Sequence, residues 1–130
     1  MRVAECRCGA VKVACEGEPV RVSVCHCLNC KRRSGSAFAV QARWPEEQVT
    51  LTGETREWQQ AGDSGRVGRF RFCPVCGATI AFTIDAMPGT VAVPVGAFAD
   101  PDFAPWPRVS VYEARMCPWV EIKGDPERWD

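Results

Sequence analysis

The sequence has little of several things that would point to a function. Lys and Arg (16) balance Asp and Glu (16), so there is no net charge of either sign, and there is one histidine and one tyrosine. A neutral chain has no electrostatic footprint for nucleic acid or an anionic membrane surface. No stretch approaches the roughly 20 apolar residues needed to span a bilayer. Residues 1–18 (MRVAECRCGAVKVACEGE) contain no continuous apolar segment of the kind a secretory signal carries. The final DPERWD has no lipidation pattern. The expectation is a cytoplasmic protein whose partners include neither nucleic acid nor membrane. There is also no sustained repeat, low-complexity tract or linker, so 130 residues indicate one domain spanning 1–130.

Cysteine, by contrast, is abundant. There are nine: Cys6, Cys8, Cys15, Cys25, Cys27, Cys30, Cys73, Cys76 and Cys117. An odd number without a secretory signal argues against a disulfide framework, and clustered thiols in a reducing compartment hold metal or carry out redox chemistry.

Apolar residues alternate in short runs broken by Gly and Pro. Residues 11–15, 38–44, 48–52, 55–59, 69–72, 78–84, 90–95 and 109–112 all read as strands, which predicts a mainly β fold. Residues 28–34 (LNCKRRS) lack alternation and predict a helical turn that Gly35 stops. Residues 61–68 (AGDSGRVG) read as a flexible loop or hairpin tip, and residues 101–107 (PDFAPWP) as a rigid, extended connection. Phe98, Phe103, Trp106, Tyr112 and Trp119 are expected in the core, with a pocket lining as the alternative. Cys15 shares a face with Val11 and Val13 and is expected in the core as a small hydrophobe.

Cys73-Pro74-Val75-Cys76-Gly77 has the spacing of a zinc knuckle: two sulfurs turn to one side, and Gly77 tolerates the tight backbone. Cys6 and Cys8, followed by Gly9, are the best source of two further ligands, because side chains at i and i+2 of an extended segment share a face. Four thiolates would close the coordination sphere and make the zinc structural; the alternative is four reduced core cysteines. Cys25, Cys27 and Cys30 form a second group. Three ligands plus an exchangeable position is the pattern of a catalytic zinc; a reversible disulfide trio is the alternative. His26 should point away from the flanking thiols and serve as a supporting or proton-handling group. Lys31, Arg32 and Arg33 would lower neighbouring thiol pKa values and hold an anionic substrate, or simply form a solvated face. Cys117 is a candidate reactive thiol, a candidate fourth ligand for the trio, or an inert residue.

CRCG at 6–9, CHCLNCKRRSGSAF at 25–38 and CPVCGATI at 73–80 together resemble the glutathione-dependent formaldehyde-activating enzyme family, which also includes centromere protein V. Weaker likeness extends through PDFAP at 101–105 and PW at 118–119. The resemblance implies a β-tent fold, with antiparallel sheets leaning together around a structural zinc held by Cys6, Cys8, Cys73 and Cys76. It also implies a second, reactive zinc at Cys25, Cys27 and Cys30. The implied activity is that of a carbon–sulfur lyase, reversibly joining formaldehyde and glutathione. Where it implies a histidine near the start of the last strand, this chain has Pro107-Arg108. Two other readings compete. One is a redox enzyme similar to methionine sulfoxide reductase B, with Cys117 as nucleophile. The other is a non-catalytic zinc scaffold that binds a protein partner.

Overall fold

The structure, a computed structural model, describes residues 1–62 and 65–130. Asp63 and Ser64, at the tip of the expected 61–68 loop, lie outside the described residues. In chain order the elements are β1 (Arg2–Glu5), β2 (Lys12–Cys15), β3 (Arg21–Cys25), α1 (Leu28–Ser34), β4 (Ala39–Pro45), β5 (Val49–Thr52), β6 (Arg56–Ala61) and β7 (Val67–Phe72), then β8 (Thr79–Ile84), β9 (Thr90–Pro94), β10 (Val109–Val111) and β11 (Glu127–Arg128). They build a three-stranded sheet, β1-β2-β5, and an eight-stranded sheet, β11-β10-β3-β4-β9-β8-β7-β6.

This is the mainly β architecture that the alternating runs predict, with one difference. The large sheet is mixed, because β10 runs parallel to both β3 and β11. A connection through residues 95–108 is long enough to return the chain in the same direction, which a tight hairpin cannot do. Three strands had no clear signal. In β1 only Ala4 is buried, so alternation is faint. In β3 the alternate residues Arg21 and Ser23 look like loop polarity, and β11 is only two residues long. The helix behaves as its sequence predicts: Gly35 adopts φ 68° and donates its N–H to the Lys31 carbonyl, ending the turn.

The core lies between the small sheet and one face of the large one. Ala4, Val13 and Cys15 meet Val22, Ala42, Trp44, Ile80 and Val93 there. Trp44 is fully buried, and its indole N–H donates to the Gly17 carbonyl at 3.0 Å. It packs on Phe98 (5.6 Å between centroids), which meets Phe103 edge-on at 4.8 Å. The 101–107 connection therefore delivers Phe103 to the core. Cys15 is fully buried, and burial pushes its thiol up to about 11, as suits a core residue. Trp106, Tyr112 and Trp119 depart from the core expectation: they are 64%, 55% and 76% exposed, and Tyr112 meets the alternative expectation by lining the cavity described below.

Both faces of the central strands are covered. In β4, Ala42 and Trp44 enter the core, while Gln41 and Arg43 project to the opposite face and are also buried. This second face is roofed by α1 and holds the candidate site.

Candidate metal and substrate site

Cys6, Cys8, Cys73 and Cys76 converge, with all four Sγ atoms within 4.8 Å of one another. Cys6 to Cys8 is 3.7 Å and Cys8 to Cys73 is 3.6 Å. A tetrahedral zinc with Zn–S bonds of about 2.3 Å requires S–S edges of about 3.8 Å, so this donor set fits zinc. The turns also supply amides: Val11 N–H reaches Cys6 Sγ at 3.2 Å and Val75 N–H reaches Cys73 Sγ at 3.4 Å. Backbone hydrogen bonds, that of Ala78 first, lower Cys76 to about 6, favouring thiolate. Cys6 and Cys8 come together through a turn closed by Gly9 N–H on the Cys6 carbonyl, rather than along an extended segment. Gly9 (φ 81°) and Gly77 (φ 79°) take the same left-handed backbone, so the two knuckles mirror each other across the sheets. A β-bulge between Arg71 and Phe72 leads the chain into the second knuckle.

Cys25, Cys27 and Cys30 also bring their sulfurs within 4.8 Å. Cys25 ends β3. Cys27 is the N-cap of α1, and its Sγ accepts the Cys30 N–H at 3.3 Å. The first turn of the helix then carries Cys30 back toward its partners. Cys25 to Cys27 is 3.3 Å. The hydrogen bond from Cys25, joined by the charge of Arg33, lowers Cys30 to about 6; Cys25 is pushed up by its bond to that thiolate and by burial. Three sulfurs so close together are a donor set suited to a thiophilic divalent metal. Among the described residues no fourth His, Cys, Asp or Glu joins this cluster.

The trio opens into a cavity of about 740 Å³. Apolar residues, among them Phe70, Phe72, Phe82 and Ile84, form one wall. Arg21, Arg32, Arg33 and Arg43 line it too, and among the described residues no carboxylate does. The Arg33 guanidinium lies 4.6 Å from the Phe82 ring centroid, and its Nη2 is 3.9 Å from Cys30 Sγ. Arg43 is 5% exposed and donates to Ser23 Oγ at 3.3 Å. Burial, reinforced by the charge of Arg21, lowers Arg43 to about 10. Gln41 donates to the same Ser23 oxygen, while its own buried carbonyl oxygen has no partner.

Of the three cations expected to hold substrate, Arg32 and Arg33 line the cavity, but Lys31 does not. Its ammonium is bound to the Arg115 carbonyl and lies 3.8 Å from Cys117 Sγ. Cys117 joins neither group of sulfurs lying within 4.8 Å of one another, and it does not line the cavity. His26 does point away from the thiols, but it is fully buried and does not reach the cavity. It therefore makes no direct contact with the cavity. Its Nε2 is 3.0 Å from Ser110 Oγ, and Ser110 donates its only proton to Glu113 at 2.7 Å. His26 Nε2 must therefore be the donor, leaving Nδ1 bare and unpartnered. Burial lowers the His26 pKa and keeps the ring neutral. Arg128 completes the chain by donating to Glu113 at 2.9 Å. Arg108, where a family histidine was expected, is exposed and outside the cavity.

Arg21, Ser23, Gln41 and Arg43 had not been singled out as site residues. Their signal was the polar half of two alternating strands, RVSVC and AVQARW, which resembles an ordinary solvent face.

The sequence model described as glutathione-dependent formaldehyde-activating enzyme matches residues 1–115. No curated protein matches the chain. Among solved structures, a structural-genomics crystal structure of a Rhodobacter sphaeroides protein is similar, with a TM-score of 0.59 and 18% identity over 98% of this chain and 99% of that chain. At that identity the likeness concerns the fold alone.

Proposed function

Because the chain belongs to the glutathione-dependent formaldehyde-activating enzyme family, we propose that it is a carbon–sulfur lyase that reversibly joins a small, glutathione-type thiol to an aldehyde such as formaldehyde. One observation carries this reading. Three sulfurs meet at the wall of a cavity that can hold a peptide-sized ligand, and among the described residues no fourth protein ligand closes the set. A scaffold that only binds another protein has no need of such an opening. A redox enzyme acting through Cys117 would need that thiol in the cavity.

In this reading Cys6, Cys8, Cys73 and Cys76 hold a structural zinc, and Cys25, Cys27 and Cys30 hold a second. Zinc at the trio would supply Lewis-acid polarisation and favour thiolate over thiol. The protein's own groups do the rest. Arg33, fixed on Phe82, and Arg32 place positive charge where the aldehyde oxygen becomes an alkoxide. The sulfur lone pair forms the new C–S bond, the carbonyl π pair moves to oxygen, and that oxygen takes the proton the thiol gave up, through cavity water. Phe70, Phe72 and Phe82 limit the water around the reacting atoms.

The test is nuclear magnetic resonance exchange spectroscopy on glutathione and formaldehyde with zinc-loaded protein. Acceleration of S-hydroxymethylglutathione formation and breakdown, lost in Cys27→Ala, is the expected result. An exchange rate equal to the protein-free rate, with two zincs bound per chain, overturns the reading.

A further inference from the structure

The cavity carries a charge pattern that thiol–aldehyde chemistry alone does not require. In β3 and β4, Cys25 faces Ala39, Ser23 faces Gln41, and Arg21 faces Arg43. Side chains two residues apart share a face, so one face of this ladder presents three successive rungs: thiol, neutral polar, and paired arginines. Four residues of strand separate Cys25 from Arg21, about 13 Å of backbone. Two like charges directly across an antiparallel pair destabilise it, and here one of them is buried. Among the described residues neither Arg21 nor Arg43 forms an ion pair, and no Asp or Glu lines the cavity. The Arg21 Nε is also buried without a partner, as is the Gln41 carbonyl oxygen. Arg32 and Arg33 are assigned above to the reacting oxygen, so the Arg21–Arg43 pair is a second cationic site in the same cavity.

Resting on the thiol–aldehyde reading of this cavity, we propose that Arg21 and Arg43 form a carboxylate clamp, so that the cavity selects peptide-like thiol acids over neutral thiols. The carboxylate accepts from both guanidinium groups and cancels their repulsion. The Gln41 carbonyl oxygen accepts an N–H from the peptide between carboxylate and sulfur. In the bound ligand the sulfur lies at Cys25–Cys30 and the acid group at the Arg21 and Arg43 guanidinium groups.

The experiment is calorimetric titration of the zinc-loaded full chain with S-methylglutathione, whose capped sulfur cannot react, and with its diethyl ester. The free acid is expected to bind about tenfold or more tightly than the ester, since hydrogen bonds to a charged group are the strong ones. Arg21→Gln and Arg43→Gln should each weaken the acid, and the double variant should bind acid and ester alike. Thermal unfolding without ligand provides a check on folding: removing one of two facing cations should leave the midpoint unchanged or raise it. If Arg43→Gln fails to fold, Arg21→Gln, at a half-buried position, decides alone. A double variant that keeps the acid preference overturns the clamp. So does an Arg43→Gln variant that loses zinc from the trio while keeping that preference, since Arg43 would then serve the thiolates. Turnover is followed separately. An arginine-dependent acid preference without carbon–sulfur exchange leaves the clamp standing and removes the lyase reading. Exchange with an unchanged KM in the double variant does the opposite.

Discussion

The two cysteine clusters use the same atoms to opposite ends. The four-thiol cluster draws one pair from the turn after β1 and one from the turn after β7, so closing it ties the small sheet to the large one. The three-thiol cluster comes from six consecutive residues and ties nothing distant together. The first gathers four thiols from two distant segments. The second is left open, facing arginines and aromatic rings. Under the proposed function, what separates a structural thiol cluster from a reactive one is how many chain segments it joins and what it faces, more than the number of cysteines nearby.

The largest effect should come from breaking the first cluster. Cys73→Ala is expected to cost more than about 4 kcal/mol, the range reserved for loss of a metal or a core network, and to abolish a cooperative melting transition followed by circular dichroism. Cys27→Ser should do nearly the reverse. Serine keeps the N-cap acceptor for the Cys30 N–H, so the melting midpoint should change little. Zinc should fall by one per chain, and exchange activity should drop by more than about 100-fold, beyond the loss typical of a supporting residue. If the two variants are equally destabilised, the division of labour is wrong.

A third prediction sharpens the contrast by reactivity. With metal removed from the trio only, iodoacetamide labelling of Cys30 should rise with pH through about 6, as the thiol gives way to the thiolate. Cys15, pushed up to about 11 by burial, should stay unlabelled while the protein is folded. Mass spectrometry of labelled peptides distinguishes the two. A smaller effect is expected behind the trio. Ser110→Ala leaves the His26 N–H buried without an acceptor and should cost about 1–3 kcal/mol in chemical denaturation. Smallest is the backbone cost of Gly77→Ala. Its added Cβ meets no atom within 4 Å, so only the left-handed φ of 79° opposes it, at about 1–2 kcal/mol. The equivalent cost at Gly35 (φ 68°) should leave the four-thiol zinc untouched, whereas Gly77→Ala should speed its release to a chelator.

Much of the site was legible because its rules are local. A CxxCG segment can form only a few turns, Gly35 ends a helix wherever it sits, and i, i+2 alternation turns His26 away from its neighbouring thiols. The arginines were less legible for an equally physical reason. Alternation shows that Gln41 and Arg43 share a face, but it does not tell water from a roofed cavity, and only the curl of β6–β8 and α1 over that face makes them buried lining. Lys31 and Arg33 differ by two positions on one short helix, which points one toward Cys117 and the other toward Phe82. That choice depends on neighbours distant in sequence.

By itself, then, the sequence determined the strand-rich composition, the two thiol groups and their turns, because each depends on spacing within a few residues. The sequence also pointed to Cys6 and Cys8 as partners for Cys73 and Cys76, but tertiary structure alone decided which side chains line the cavity the trio faces, and that Arg21 stands across from Arg43. Those depend on strand register and sheet curvature, which are properties of the whole chain packed at once.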